Sequence, residues 1–146
     1  MNSLEDTKII NKLYEASNAG VKIKLIVRGI CCLVPGIEGL SENIEVKSIV
    51  GRFLEHTRIY AFNNNSSQRI FLSSADWMGR NFDRRVELLF EITRQDLIEQ
   101  IRMVLDKYWV DNVKTHLLMP SGEYIRPILE GKPFNAQEHF INYYAK

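Results

Sequence analysis

Three β-favouring runs follow one another between Thr57 and Ile92, and no other feature restricts the fold of this chain as tightly. TRIYAF and RIFLSS are rich in β-branched and aromatic residues, and the NNNSSQ between them suits a tight turn, so the pair reads as a hairpin. RRVELLFEI then sets Val86, Leu88, Phe90 and Ile92 on one side and Glu87, Leu89 and Glu91 on the other, the pattern of a largely buried strand in the same sheet. Such a sheet needs helices to cover it. Thr93 with Asp96 opens the clearest one, in which Leu97, Ile98, Ile101, Val104, Leu105 and Tyr108 recur at helical spacing as far as Trp109. Its apolar stripe is expected to cover a sheet face.

The same reasoning organises the rest of the chain. SLEDTKIINKLYEASNAG, with Ser3 and Asp6 three apart and Gly20 as a stop, predicts a helix. The strand VKIKLIV follows, from Val21 to Val27, and ends at Arg28-Gly29. Pro35, Gly36 and Gly39 break the chain, and SENIEVKSIVG is too mixed to assign. THLLM and EYIRP predict short strands around Pro120-Ser121-Gly122, and AQEHFINYYAK a final helix. The expected fold is α/β, a mixed sheet flanked by helices, in a single domain over residues 1–146.

Composition agrees, with 146 residues of which 45% are hydrophobic and 25% charged. Apolar runs such as IKLIV are cut by lysine or arginine well short of the roughly 18 to 20 residues that a membrane-spanning helix needs. The N-terminus lacks the pattern of a secretory leader. Cys31 and Cys32 are adjacent, cannot staple distant strands, and read as reduced, buried thiols, which favours a cytosolic protein. A net charge of +1 argues against a general nucleic-acid binder, but the charge is unevenly placed. Between Val46 and Arg85 stand seven basic residues, Lys47, Arg52, Arg58, Arg69, Arg80, Arg84 and Arg85, against the acids Glu55, Asp76 and Asp83. Arginine's planar fork matches oxyanions, so a phosphate-rich ligand is the natural partner of this island; the bland reading is a solvated face.

His56 lies inside the island. If it shares an extended strand with Arg58, the i, i+2 spacing puts both side chains on one face with Cα atoms about 6.5 Å apart, so that one phosphate touches both. Imidazole can move a proton near neutral pH while the arginine supplies fixed charge. Ser73, Ser74 and Asp76, at the end of the second hairpin strand, can hydrogen-bond an oxyanion or orient the histidine. Other residues have structural readings: His116 in an apolar strand, His139 on the last helix, Trp77 as packing or as a stacking surface, and Glu87 and Glu91 as charge partners of arginines. No metal-ligand spacing stands out.

His56-x-Arg58, Asn63 and Ser73-Ser74-x-Asp76 resemble, in altered form, the phospholipase D signature, with Arg58 and Asn63 where those enzymes use a lysine and an aspartate. LIVRGICCLVPG, LSENIEVKSIVGRFLEHTRIYAF and SSADWMGRNFDRRVELLFEI resemble consecutive stretches of the C-terminal domain of bacterial polyphosphate kinase, a phospholipase D-like domain, and the likeness runs from about Asn2 to Pro127. This resemblance implies that Arg28 and His56 contact the phosphates of ATP, with His56 a candidate acid or base and not the phosphorylated histidine. Arg52 and Arg58 are added from charge and position, and Ser74 and Asp76 from the superfamily pattern. Arg80, Arg84 and Arg85 are candidates to line the path of a polyanion, with pairing of Arg84 or Arg85 to Asp83 or Glu87 as the other reading. The resemblance further implies ATP/ADP and polyphosphate as partners, transfer of the terminal phosphate through a phosphohistidine in a preceding domain, and magnesium whose ligands lie outside this chain. Dimers or higher assemblies and a cytoplasmic, membrane-associated setting are implied for the full enzyme. On this reading the chain is a fragment that binds but hardly turns over. Two alternatives stay open, a phospholipase D-like phosphodiesterase and a non-enzymatic polyanion-binding module.

Overall fold

The computed structural model describes residues 1–64, 67–129 and 131–145. Its elements run α1 (Thr7–Asn18), β1 (Ile23–Ile26), β2 (Ile44–Ile49), β3 (Arg58–Asn64), β4 (Ser67–Ser73), α2 (Gly79–Arg84), β5 (Leu89–Ile92), α3 (Gln95–Trp109), β6 (Thr115–Leu118), β7 (Tyr124–Ile125) and α4 (Ala136–Tyr144). The strands form two sheets where one was expected. A four-stranded mixed sheet has the order β1-β2-β6-β7, with β1 and β2 parallel and the remaining neighbours antiparallel. The hairpin and the strand after it form a separate antiparallel sheet, β3-β4-β5.

Strand β2, in the segment too mixed to assign, has a physical reason to be a strand. Ile44 and Val46 point into the core, while Lys47 on the opposite face donates to the Trp109 carbonyl at 2.7 Å and sits 4.4 Å over its ring. Lys24 of β1 lies over the same ring at 4.8 Å. The end of α3 therefore packs on one face of the mixed sheet through cation–π contacts, which a count of apolar residues does not register. The other face meets α1: Ile10, Leu25, Val27, Ile44, Val46 and Leu118 form one buried cluster, with Ile9, Leu13 and Tyr14 packed against it. Helix α3 carries no fully buried residue, so its stripe covers its face only in part.

Several boundaries move. The first helix starts at Thr7, because Asp6 and not Ser3 caps it, accepting from the Ile9 amide at 2.9 Å. Residues 1–5 instead run extended, and Leu4, fully buried, bridges both Cys31 and Trp77. β1 is shorter than Val21–Val27, since the Val21 amide closes the end of α1 on the Ala16 carbonyl. β5 is not buried: Leu89 and Phe90 are 59% and 45% exposed, as on the open edge of a three-stranded sheet. The short helix α2 was not foreseen. Cys31 is half-buried and Cys32 exposed, both as free thiols, which corrects the expectation of two buried ones. The hairpin turn at 65–66 lies outside the described residues.

Asp76 fastens the extended N-terminal strip. Its Oδ1 accepts from the amides of Asn2 at 2.7 Å and Ser3 at 3.2 Å and from Arg58 Nε at 3.1 Å, and its Oδ2 accepts from Arg58 Nη2 at 2.7 Å. The ion pair is nearly buried, with side-chain exposures of 10% and 4%. Burial alone would raise the Asp76 pKa, but the Arg58 fork and the two amides bring it below its ordinary 3.8. Replacing Asp76 by Asn is expected to lower stability by about 3 kcal/mol, because Arg58 keeps its charge in a dry place without a counter-ion. Urea unfolding should show a lower midpoint with the slope unchanged. The wild-type advantage is fully present above the ordinary carboxylate pKa and is lost as pH falls through the lower, folded-state value, so the two midpoints should converge in acid.

Candidate functional site

Arg28 stands two residues beyond β1, where the parallel pair β1-β2 ends. Backbone bonds fix it there: its amide donates to the Met1 carbonyl at 3.2 Å, and its carbonyl accepts from Ser48 Oγ at 3.1 Å. Gly29 lets the N-terminal strip approach, since a Cβ at this position would lie 3.0 Å from the Asn2 carbonyl oxygen. The Arg28 guanidinium donates through Nη2 to Asn2 Oδ1, while its Nε is buried and has no hydrogen-bond partner among the described residues.

Asn2 links Arg28 to the second half of the site. Its side chain holds Arg28 and its amide is bound by Asp76, which holds Arg58. The third nitrogen of Arg58, Nη1, donates to the His56 carbonyl at 2.8 Å. A continuous chain of contacts thus runs Arg28, Asn2, Asp76, Arg58, His56, and it brings together four residues expected at the site from sequence.

Their roles differ from the sequence expectation. His56 precedes β3, so it and Arg58 do not share an extended strand, and the same-face argument fails. Its ring is exposed and forms no hydrogen bond among the described residues. Arg58 commits all three nitrogens to Asp76 and the His56 carbonyl, which makes it a support of the loop in this structure. Ser74 is engaged in its own turn: its Oγ accepts from the Leu88 amide at 2.9 Å and donates to Glu87. Arg52 is exposed, with its guanidinium 5.4 Å from the Phe53 ring.

The cationic island shrinks in the same way. Lys47 is spent on Trp109, Arg58 on Asp76, and Arg69 on a bidentate pair with Glu91 across the hairpin sheet at 2.8 Å. Arg52, Arg80, Arg84 and Arg85 are exposed and form no ion pair among the described residues, so the expected pairing with Asp83 or Glu87 is absent there. Glu87 bonds Ser74 and Asn81 instead. Trp77 stacks on Tyr60 with ring centroids 4.9 Å apart and 4° between planes, which is its packing role. His139 packs among Phe134, Phe140 and Tyr143, and His116 accepts a long bond from Arg126 at 3.4 Å.

Sequence reasoning missed Asn2 and a group around the His56 loop. Gln137 of α4, 4% exposed, accepts from the Phe53 amide at 3.0 Å and donates to the Phe53 carbonyl at 2.9 Å and to Glu55 Oε1 at 2.8 Å. Tyr108 of α3 donates to the same Glu55 oxygen. Gly51 is the only local trace of this arrangement: a Cβ there would meet Gln137 Oε1 at 2.3 Å. No group of three or more His, Cys, Asp or Glu side chains forms a metal site among the described residues. The Arg28 guanidinium with its orphaned Nε and the exposed His56 imidazole offer cationic and hydrogen-bonding groups suited to holding oxyanions.

The sequence family described as polyphosphate kinase C-terminal domain 2 matches residues 1–137. The polyphosphate kinase of Lactiplantibacillus plantarum is 56% identical over 142 residues, which are 97% of this chain and 20% of that protein. The polyphosphate kinase of Pseudomonas putida is 53% identical over 125 residues, 86% of this chain and 17% of that one. The crystal structure of polyphosphate kinase from Porphyromonas gingivalis matches with a TM-score of 0.93 and 42% identity, covering 98% of this chain and 22% of its own. The chain spans about a fifth of the length of the curated relatives it matches. It belongs to the family of the polyphosphate kinase C-terminal domain 2.

Proposed function

We propose that this domain is one part of a polyphosphate kinase, and that within it Arg28 and His56 hold the phosphates of ATP. The observation that carries the reading is the Arg28 guanidinium, whose Nε is the one buried cationic donor without a partner among the described residues. A buried orphan donor is costly, and a phosphate oxygen would satisfy it once a turn of the side chain brings Nε to the ligand. His56, whose exposed ring forms no hydrogen bond among the described residues, adds an imidazole that can donate to phosphate and, when neutral, accept a proton.

In the full-length protein, the terminal phosphoryl group of ATP passes to a histidine outside this chain. The P–O bond to ADP breaks as a P–N bond forms, and the phosphohistidine then yields the group to the end of polyphosphate. Magnesium would screen the phosphate charge, and the residues that bind it are assigned to the domains outside this chain. Arg52, Arg80, Arg84 and Arg85, which form no ion pair among the described residues, supply surface charge for a polyphosphate chain, whereas Arg58 and Asp76 act by holding the loop and the N-terminal strip, and Ser74 by holding the turn before β5. A homo-oligomer and a cytoplasmic, membrane-associated setting complete the reading for the intact enzyme.

Titration calorimetry of ATP and of polyphosphate into this chain tests the assignment. Arg28→Ala should weaken both ligands by roughly tenfold or more, the worth of a hydrogen bond to a charged group. Equal affinities for wild type and variant would sink it, as would no binding at all together with no phosphoryl transfer when the remaining domains are supplied in trans. Polyphosphate affinity should also fall steeply with salt, because releasing counterions into a more concentrated solution gains less entropy. If Arg52→Ala weakens polyphosphate while Arg28→Ala and His56→Ala leave it untouched, the domain is a bare polyanion-binding surface.

A further inference from the structure

We infer that Gln137 is a positioning residue for His56, acting through the backbone of the loop that carries it; the inference rests on the reading of His56 as a phosphate contact. The loop from Gly51 to Thr57 belongs to neither sheet and exposes Phe53, Leu54 and His56, so its own side chains do little to fix it. Its order comes from α4. The Gln137 amide bonds both the N–H and the C=O of Phe53, the pairing a neighbouring β-strand would offer, and its second N–H bond goes to Glu55, directly before His56. Tyr108 completes the Glu55 contact from α3, and burial followed by the Glu55 carboxylate keeps its hydroxyl protonated well above the ordinary tyrosine range.

Gln137 is itself rigidly held. Asp111, 2% exposed, accepts from the Ala136 amide at 2.8 Å, and Asn112 brackets Phe134 by accepting from its amide at 2.7 Å and donating to its carbonyl at 3.1 Å. Asn135 caps the helix on the Gln137 amide at 3.1 Å. The side chain therefore projects from a fixed helix start, and Gly51 leaves the space it occupies. On the far side of His56, Arg58 holds the carbonyl of the same residue. The imidazole is presented from a loop clamped before and after it, so little ordering remains when a phosphate arrives.

The test uses the different chemistry of guanidinium and imidazole. Guanidinium groups in general are charged at any pH of such an experiment, whereas imidazole groups in general gain a second N–H donor and a positive charge as pH falls through about 6.5. Affinity for inorganic tripolyphosphate would be measured from about pH 8 to about pH 5.5 in wild type, His56→Ala, Gln137→Ala and Gly51→Ala. Each is referred to His56→Ala so that the ligand's own titration cancels. Gly51→Ala matters because it displaces the Gln137 amide without deleting it. Wild type should gain roughly tenfold over His56→Ala on the acid side. Gln137→Ala and Gly51→Ala should forfeit most of that gain, while Arg28→Ala made in either background still weakens binding as it does in wild type. A Gln137→Ala profile that follows wild type overturns the inference. So does an equal loss at every pH together with loss of the Arg28 effect in both variants, the mark of general unfolding. If His56→Ala itself matches wild type at all pH values, the phosphate-contact reading of His56 fails first and takes the positioning role with it, an outcome visible in that variant alone.

Discussion

The Asp76 carboxylate joins three stretches of chain that are distant in sequence, and the geometry of the site depends on it. It receives the Asn2 and Ser3 amides from the N-terminal strip and the fork of Arg58 from the start of β3. With those amides satisfied, the strip can lie in the protein interior, where Leu4 is fully buried between Cys31 and Trp77. A buried strip without such an acceptor would leave amides unpaired, at about 1 to 3 kcal/mol each. The N-terminal strip therefore links the segment after β1 to the turn after β4, through backbone bonds to Ile30, Cys32 and Trp77 and through the Asp76 carboxylate. Lysine at position 58 would keep the charge but lose the planar fork that reaches Asp76 twice and the His56 carbonyl once.

What the sequence disclosed follows from which interactions are local. The hairpin, α3, the two short strands near Pro120 and the last helix were all legible, because turn residues, caps and periodicity act within a few positions. β2 was not, since Lys47 looks wrong for a strand between two others until Trp109, 62 residues later, receives it. The N-terminal strip was absorbed into the helix because Ser3 and Asp6 have cap spacing, and only the partners at Cys31 and Trp77 decide against it. β5 looked buried from its alternation, and its exposed face shows that alternation reports the sheet period and not what covers the sheet.

The site followed the same rule. Family resemblance picked out Arg28 and His56, and charge counting added Arg58, but no local pattern distinguishes an arginine that serves the fold from one left for a ligand. That distinction depends on partners 18 residues away for Arg58 and 22 for Arg69. Gln137 lies 84 residues from Phe53, and an ordinary glutamine on a terminal helix carries no mark of its role.

Sorting cations by commitment then becomes a functional argument. Of the arginines gathered at the N-terminal strip, Arg58 has each of its nitrogens engaged and its charge balanced by Asp76, so it contributes little net field to an approaching anion. Arg28 is bound only through Nη2 to a neutral amide, its Nε is orphaned, and its charge is unbalanced by any ion pair among the described residues. Asn2 can orient this guanidinium without neutralising it, which a carboxylate at the same place could not do. The neutral partner at Arg28 and the charged partner at Arg58 thus separate two tasks, leaving one arginine available to an oxyanion while the other fixes the loop that carries His56.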